Sequence, residues 1–225
     1  ESKSGRIDLV TELDKATQDF LIEKIRAFDP EAKILGEENG LDRLSDFSGR
    51  VFIIDPIDGT MNFVLEKENF CIMVAVYEEG QGRFGFVYNV MKDEFLWGGP
   101  EIGVFCNGQK IDPPKDIALE EGLIGLNAPM LMHNRHHEVE MSERALGVRM
   151  TGCAGIELIA LVLGQRAGYI SNLAPWDYAP GGILMETLGL KMANITGEEL
   201  ALDGRELFIG GTPTAFQELL TIANQ

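Results

Sequence analysis

The chain has 225 residues, of which 45% are hydrophobic, and its 36 acidic and 19 basic residues give a formal net charge of −17 at pH 7. This length and apolar content suffice for one large core or for two closely joined halves. The negative charge argues against nucleic-acid or anionic-membrane binding as the main role. It is compatible with a protein that binds divalent cations, and equally with a charge that only keeps the protein soluble. No apolar stretch approaches the length that crosses a bilayer, and no signal peptide is visible.

The first half of the chain is predicted to contain a helix followed by an antiparallel sheet. Apolar residues recur at spacings of three and four, which predicts a helix over Thr11–Phe28 that ends at Asp29-Pro30. The predicted strands are Val51–Ile54, Phe70–Tyr77, Gly82–Val90, Glu94–Trp97, Val104–Cys106 and Lys110–Ile111. Asn107-Gly108 is a hairpin signal between the last two strands. Pro113-Pro114 marks a break, so this half is taken as residues 1–115.

The second half, residues 116–225, is predicted to alternate strands and helices. Its predicted strands are Leu123–Leu126, Tyr169–Ile170 and Leu207–Ile209. Its predicted helices are His136–Leu146, Ile156–Leu163, Tyr178–Leu188 and a last one with Thr212 at the N-cap and Pro213 at the first helical position. Such alternation predicts a layered α/β arrangement, in which we expect the two halves to form one compact fold.

The cysteines indicate a reducing compartment. Cys71, Cys106 and Cys153 are odd in number and have no CxxC spacing. We therefore predict reduced core thiols in a cytoplasmic protein, and we do not expect a zinc site.

A pair of carboxylates follows a short apolar run in Val51–Phe63, VFIIDPIDGTMNF. Two residues separate Asp55 from Asp58, and the pair precedes Gly59-Thr60, whose backbone N–H groups could cradle a phosphate oxygen. Aspartyl phosphotransferases have one residue between the acids, and the extra residue here redirects the second carboxylate because side chains alternate along extended backbone. The pattern therefore favours metal-assisted hydrolysis with Mg²⁺, which prefers oxygen ligands.

Further acids stand at the ends of predicted elements. Glu37-Glu38 follows the apolar Ile34-Leu35, and Asp177 comes just before a predicted helix. Taken alone, the glutamates are compatible with a solvated turn and Asp177 with a helix cap. Together with the aspartate pair they would form an anionic cluster whose members repel one another unless cations neutralise them.

The sequence resembles the inositol monophosphatase family of Mg²⁺-dependent, Li⁺-sensitive phosphatases. The matching segments follow the family's order: DLVTELD (Asp8–Asp14), GEE (Gly36–Glu38), DPIDGTMNF (Asp55–Phe63), GCAG (Gly152–Gly155) and WDYAPG (Trp176–Gly181). Members normally carry a further helical segment before the position that Lys3 occupies. The resemblance implies an α+β fold, a layered αβαβα sandwich of the sugar-phosphatase type. It also implies a cytoplasmic homodimer that hydrolyses a small phosphorylated metabolite.

The resemblance also implies roles for individual residues. The implied ligands of two or three Mg²⁺ ions are Glu37, Asp55, Asp58, Asp177 and the carbonyl of Ile57. Glu37, with Thr60 hydrogen-bonded to Asp14, would position and deprotonate the attacking water. The implied substrate-binding residues are Gly59, Thr60, Gly152, Cys153 and Ala154. Glu38 and Lys3 are implied to support the site without ligating the metals, and Lys3 is equally compatible with a flexible basic terminus.

One departure from the family pattern concerns the substrate. Inositol-specific members carry an acid shortly before the Trp-Asp pair, whereas Gly168–Asp177, GYISNLAPWD, has none before Asp177. Asn172 would accept hydrogen bonds from hydroxyls less strongly than a carboxylate does. A loop rearrangement could instead bring in a distant acid such as Glu157. We therefore expect inositol phosphates to be hydrolysed without clear preference over NADP or sugar phosphates. The alternative is a non-catalytic member that binds metal or phosphate, and the complete set of implied ligands argues against it.

Overall fold

The computed structural model describes residues 12–225, so Lys3 and the predicted helix start at Thr11 lie outside the described residues. A seven-stranded sheet occupies the first half, with its strands in sequence order. They are β1 (Lys33–Gly36), β2 (Arg50–Asp58), β3 (Cys71–Glu78), β4 (Gln81–Asn89), β5 (Glu94–Gly99), β6 (Gly103–Cys106) and β7 (Gln109–Ile111). β1 pairs with β2 in parallel, and all the other pairings are antiparallel.

A five-stranded sheet occupies the second half. Its strands are β8 (Leu123–Leu126), β9 (Gly147–Arg149), β10 (Gly168–Leu173), β11 (Lys191–Asn194) and β12 (Glu206–Gly211). They lie in the order β11-β12-β10-β8-β9. β10 and β9 run parallel to β8, whereas β12 is antiparallel to both of its neighbours.

Helices complete the layers. They are α1 (Glu12–Phe28), α2 (Thr60–Leu65), α3 (Ala128–His133), α4 (Glu138–Arg144), α5 (Ala154–Val162), α6 (Pro175–Thr187) and α7 (Pro213–Ala223). α1 packs on the seven-stranded sheet, α5 and α6 lie between the two sheets, and α7 with α4 covers the five-stranded sheet. The largest apolar cluster lies between the sheets and takes residues from both halves of the chain. No helix within residues 12–225 is both long and apolar enough to cross a membrane.

The central helix α6 is held by close approaches that need glycine. A Cβ atom on Gly85 would lie 2.1 Å from the carbonyl oxygen of Pro180, and one on Gly181 would lie 2.6 Å from Leu158. Because a backbone carbonyl approaches Gly85 and the Leu158 side chain packs directly on Gly181, neither position has room for a side chain, and α6 is held closely between the sheets. Its first turn, which contains Asp177, is fixed with it.

Several sequence predictions are confirmed. The hairpin between β6 and β7 turns at Asn107 and Gly108, both with positive φ. The last helix begins after Thr212, whose hydroxyl accepts a hydrogen bond from Ala215 N at 3.4 Å. The antiparallel strands and the order of long elements also agree with the sequence analysis.

Some predicted boundaries are wrong. The strand predicted to end at Ile54 continues to Asp58, with an irregular register after Asp55, where Pro56 has no N–H for the ladder. The helices α5 and α6 begin two and three residues earlier than predicted, so Asp177 lies inside the first turn of α6 rather than before it. The elements β1, α2, α3, β9 and β11 were not predicted, since three to six residues are too few for a periodic pattern.

Candidate active site

A polar cavity of about 320 Å³ opens where the ends of β2, β8 and β10 meet the first turns of α5 and α6. All the metal ligands and substrate-binding residues proposed from the sequence line it. Asp14 and Glu38 do not line it, and Lys3 lies outside the described residues. The cavity therefore joins segments from both halves of the chain.

Three buried aspartates converge in this cavity. Oxygens of Asp55, Asp58 and Asp177 lie within 4.8 Å of one another. Glu37 lies beside them because β1 and β2 run parallel, and its backbone N–H donates to the carbonyl of Ile54 at 3.3 Å. The parallel pairing thus brings acids at the ends of two neighbouring strands to the same edge of the sheet.

Each buried aspartate is held through one oxygen. Asp55 Oδ1 accepts the backbone N–H of Ile57 at 3.1 Å, and Asp58 Oδ2 accepts that of Gly155 at 2.5 Å. Asp177 Oδ2 accepts the backbone N–H of Ala174 at 2.8 Å. No described residue donates to the other oxygen of any of the three aspartates. Within residues 12–225, one oxygen of each aspartate thus has no hydrogen-bond donor and can bind a ligand in the cavity.

Burial strongly shifts the pKa values of these three aspartates. It raises the pKa of Asp55 well above its usual range, and the neighbouring anions Glu37, Asp58 and Asp177 raise it further. Burial also raises the pKa of Asp58, against the lowering effect of the Gly155 N–H. It raises the pKa of Asp177 to about 7, although the charge of Arg205 opposes the shift. Burial and mutual repulsion disfavour the ionised carboxylates, and bound cations would offset both effects. This set of hard oxygen donors therefore fits divalent cations such as Mg²⁺.

The loop that carries Glu37 is fastened to α1. The buried side chain of Gln18 accepts the backbone N–H of Glu38 at 3.0 Å and donates to its carbonyl at 2.7 Å. Glu38 itself is buried outside the cavity. Gln18 was not singled out from the sequence, because its partners are 20 residues away.

Thr60 connects α1 to the cavity. Its Oγ1 lies 2.9 Å from Oδ1 of the buried Asp14 and 3.0 Å from the carbonyl oxygen of Ile57. A hydroxyl has a single proton, so Thr60 donates to only one of the two at a time. Gly59 before it has φ of 84°, and a Cβ there would lie 3.0 Å from Asn69 O. Glycine therefore allows the turn that starts α2.

The loop at residues 151–153, which precedes α5, is tied to α2 by the side-chain amide of Asn62, which the sequence analysis did not single out. Asn62 Nδ2 lies 2.9 Å from Asn69 O and 2.7 Å from Thr151 O. Gly152 follows with φ of 72°, and Cys153 is the N-cap residue of α5. Asn62 lies within the DPIDGTMNF segment, so its position in that motif was the only available signal.

Within residues 12–225, the rim of the cavity contains the cation Arg205 and the acid Glu157. Glu157 lines the cavity, but its carboxylate is buried and bound to Arg166 at 2.8 Å and to Thr151 N at 3.3 Å. Arg205 is the only basic residue among the described residues that line the cavity. Its Nη1 donates to Asp177 Oδ2 at 3.1 Å and to Asn172 O at 3.2 Å. Sequence analysis missed Arg205, which has no nearby motif.

Comparison with known proteins identifies the chain. The model of the inositol monophosphatase family matches residues 1–225. The chain belongs to the inositol monophosphatase family. It is therefore a phosphatase, a phosphoric monoester hydrolase, and the resemblance seen in its sequence motifs is confirmed.

Individual relatives agree with this assignment. The chain is 37% identical to an inositol-1-monophosphatase of Bacillus subtilis, over 98% of this chain and 86% of that protein. It is 29% identical to a fructose-1,6-bisphosphatase/inositol-1-monophosphatase of Thermotoga maritima, over 100% of this chain and 86% of that protein. A crystal structure of an IMPase/NADP phosphatase complexed with Mg²⁺ and phosphate superposes with a TM-score of 0.93 at 29% identity, covering 100% of this chain and 85% of that one. This likeness confirms the layered αβαβα fold.

Proposed function

We propose that this family member hydrolyses the phosphomonoester of a small metabolite with Mg²⁺ bound in the acidic cavity. The observation that carries the proposal is the convergence of three buried aspartates, each with an oxygen that no described residue engages. The residues proposed to hold two or three ions are Glu37, Asp55, Asp58, Asp177 and the carbonyl of Ile57. When bound, such ions activate a water, neutralise phosphate charge and stabilise the leaving alkoxide.

The chain's own groups would orient the attacking water. If Thr60 donates its proton to Asp14, its oxygen lone pairs remain to accept a hydrogen bond from the water, and the carbonyl of Ile57 stays free for a cation. Glu37, which lines the cavity, would then accept the water's proton. Burial of Asp14 excludes water that would otherwise compete for the Thr60 hydroxyl.

Backbone donors would hold the phosphate. The N–H groups of Gly59 and Thr60 lie at the cavity wall where α2 begins, and the first N–H groups of a helix have no partner within it. Gly152, Cys153 and Ala154 lie opposite at the start of α5 and would contact the organic part of the substrate. The reacting phosphate would then lie between the acid cluster and the two helix starts.

The test is turnover of a generic phosphate ester by the protein as a function of Mg²⁺. Activity should disappear in a chelator and return on addition of Mg²⁺. A protein that binds Mg²⁺ and inorganic phosphate in a calorimeter but hydrolyses no ester would instead be the non-catalytic family member.

Cytoplasmic location and a homodimer also belong to the proposal, and sedimentation velocity would measure the oligomeric state.

Lithium at millimolar concentration should inhibit the enzyme at saturating Mg²⁺. The physical reason is the size of the acid cluster, which offers more carboxylates than one cation needs and so leaves an exchangeable position for a small hard cation. Initial rates in LiCl, against equal concentrations of NaCl as the ionic-strength control, would measure this. Equal rates in the two salts would place the chain in a lithium-insensitive branch.

We also propose a broad specificity in which inositol 1-phosphate is not strongly preferred. The rim offers the neutral Asn172 and the cationic Arg205, and the carboxylate of Glu157 is already paired with Arg166. Arg205 uses only Nη1 in its two described hydrogen bonds, so Nε and Nη2 can bind a second anionic group of the substrate. NADP, adenosine 3′,5′-bisphosphate and fructose 1,6-bisphosphate should therefore be hydrolysed at least as well as inositol 1-phosphate.

The kcat/KM values across that panel, with glycerol phosphate added, decide this prediction. Arg205→Gln should lower kcat/KM for the substrates with a second anionic group more than for inositol or glycerol phosphate. Arg135→Gln is the matched control, since Arg135 is exposed and does not line the cavity. A preference of about a thousandfold for inositol 1-phosphate, roughly 4 kcal/mol, would show that another group replaces the missing acid.

A further inference from the structure

Two of the three cysteines meet at the proposed metal ligand Asp58. Cys71 lies opposite Asp58 in the β2–β3 pairing, and Cys153 precedes α5. The two Sγ atoms are 3.7 Å apart, and Asp58 Oδ2 lies 3.6 Å from Cys71 Sγ and 3.1 Å from Cys153 Sγ. All three side chains are buried, whereas the third cysteine, Cys106, is only partly buried and lies on β6.

The separations of these three atoms resemble one face of a tetrahedral metal site. Zinc binds sulfur at about 2.3 Å and carboxylate oxygen at about 2.0–2.2 Å, so tetrahedral angles place two sulfurs about 3.8 Å apart and sulfur and oxygen about 3.6 Å apart. The observed edges are 3.7, 3.6 and 3.1 Å. Little movement is therefore needed for the three side chains to bind one cation.

The chemistry of the donors selects the kind of cation. Two sulfurs favour Zn²⁺ or Cd²⁺ over Mg²⁺ and Ca²⁺, which prefer an all-oxygen shell. Asp58 belongs to both groups of side chains: its Oδ2 faces the thiols, while its Oδ1 has no hydrogen-bond donor among the described residues. Cys153 and Asp58 line the cavity, which gives a cation a route to the thiols.

We propose that Cys71, Cys153 and Asp58 form an inhibitory site for a thiophilic divalent cation, Zn²⁺ or Cd²⁺. Binding breaks two S–H bonds, forms two metal–sulfur bonds and releases two protons to solvent, with no change of oxidation state. A cation held there at Oδ2 draws on the charge of Asp58 and repels a Mg²⁺ ion bound at Oδ1 of the same carboxylate, which weakens the Mg²⁺ cluster. The binding step stands on its own, whereas the inhibition rests on the proposed function.

The chain supplies its own matched variants for a test of binding. Reduced wild-type protein, Cys71→Ser and Cys106→Ser would be titrated with Cd²⁺, with the ultraviolet thiolate-to-cadmium charge-transfer absorption and calorimetric stoichiometry as readouts. Wild type and Cys106→Ser should bind one Cd²⁺ through two thiolates. Cys71→Ser should lose about half of the absorption and at least about tenfold in affinity, since even groups that only support a ligand contribute 10–100-fold.

Inhibition is measured on the same proteins with Zn²⁺ at saturating Mg²⁺. Cys71→Ser should keep turnover within about twofold of wild type without Zn²⁺, yet need at least about tenfold more Zn²⁺ for half-inhibition. Cys106→Ser should match wild type in both respects. Cys71→Ala is a second variant if the serine protein folds poorly, which near-ultraviolet circular dichroism would reveal.

Three results would overturn the inference. Absence of the charge-transfer band in wild type, or an equal band in Cys71→Ser, would remove the site itself. Equal Zn²⁺ sensitivity in all three proteins would place inhibition at the carboxylates alone. A protein without any phosphatase activity would contradict the proposed function, while the Cd²⁺ titration would still decide the site.

Discussion

Asp58→Asn should remove most of the activity and weaken Mg²⁺ binding. Asp58 Oδ2 accepts the N–H of Gly155 at 2.5 Å, so the amide oxygen of asparagine must keep that place. The amide NH₂ then points to where Oδ1 lies and offers a donor where a cation needs a lone pair. The loss in kcat/KM should exceed the roughly 10–100-fold that follows removal of a group that only supports a ligand.

Asp177→Asn should behave in the same way for the same geometric reason. Two N–H groups, from Ala174 and Arg205, bind Oδ2 and dictate the orientation of the amide. Steady-state rates over a Mg²⁺ titration, together with calorimetric Mg²⁺ binding, measure both variants. Asp112→Asn removes the same charge from an exposed position outside the cavity and serves as the control. Near-normal turnover and unchanged Mg²⁺ dependence in both site variants would contradict the proposed ligands.

Thr60→Val should lower kcat by about 10²–10⁴, the range that positioned proton-transfer groups contribute. Valine keeps the shape of threonine but cannot donate to Asp14 or accept from a water. The Mg²⁺ concentration for half-maximal activity should change little, because the four carboxylates remain. Thr60→Ser, which keeps the hydroxyl, should retain most of the activity.

A double-mutant cycle separates orientation of water from simple packing. Asp14→Asn alone should lower kcat, and Thr60→Val in that background should add little, because the two side chains act as one unit. Additive losses would show that Thr60 and Asp14 act independently. Thermal unfolding of each variant reports the structural cost of leaving the buried Asp14 without its hydroxyl partner.

The parts of the site that sequence analysis predicted are those encoded over short distances. Asp55, Asp58 and Thr60 lie within six residues of one another, and the spacing itself limits which chemistry they can serve. Asp177 was reached through its Trp-Asp motif. The layered fold followed from alternating periodic segments, and only elements too short for a period were missed, such as β1.

The parts that could not be predicted depend on contacts made across the fold. Arg205 meets Asp177 from 28 residues away, and Cys71 and Cys153 are 82 residues apart in sequence. Rules based on CxxC spacing therefore gave no sign that two cysteines approach each other beside a metal ligand. The division into residues 1–115 and 116–225 stays a prediction, although the main apolar cluster joins the two parts.

The two walls of the cavity differ in how readily their residues could be substituted. The acids stand at the ends of β2 and β1 and in the first turn of α6, a mostly buried helix whose Gly181 has no room for a side chain against Leu158. The opposite rim is formed by the end of β10 and the segment before β12, with exposed side chains such as Asn172 and Arg205. Substitutions at the rim could therefore exchange one leaving group for another without disturbing the hydrolytic chemistry. Such a scaffold can acquire new substrates by single steps while its reaction stays the same.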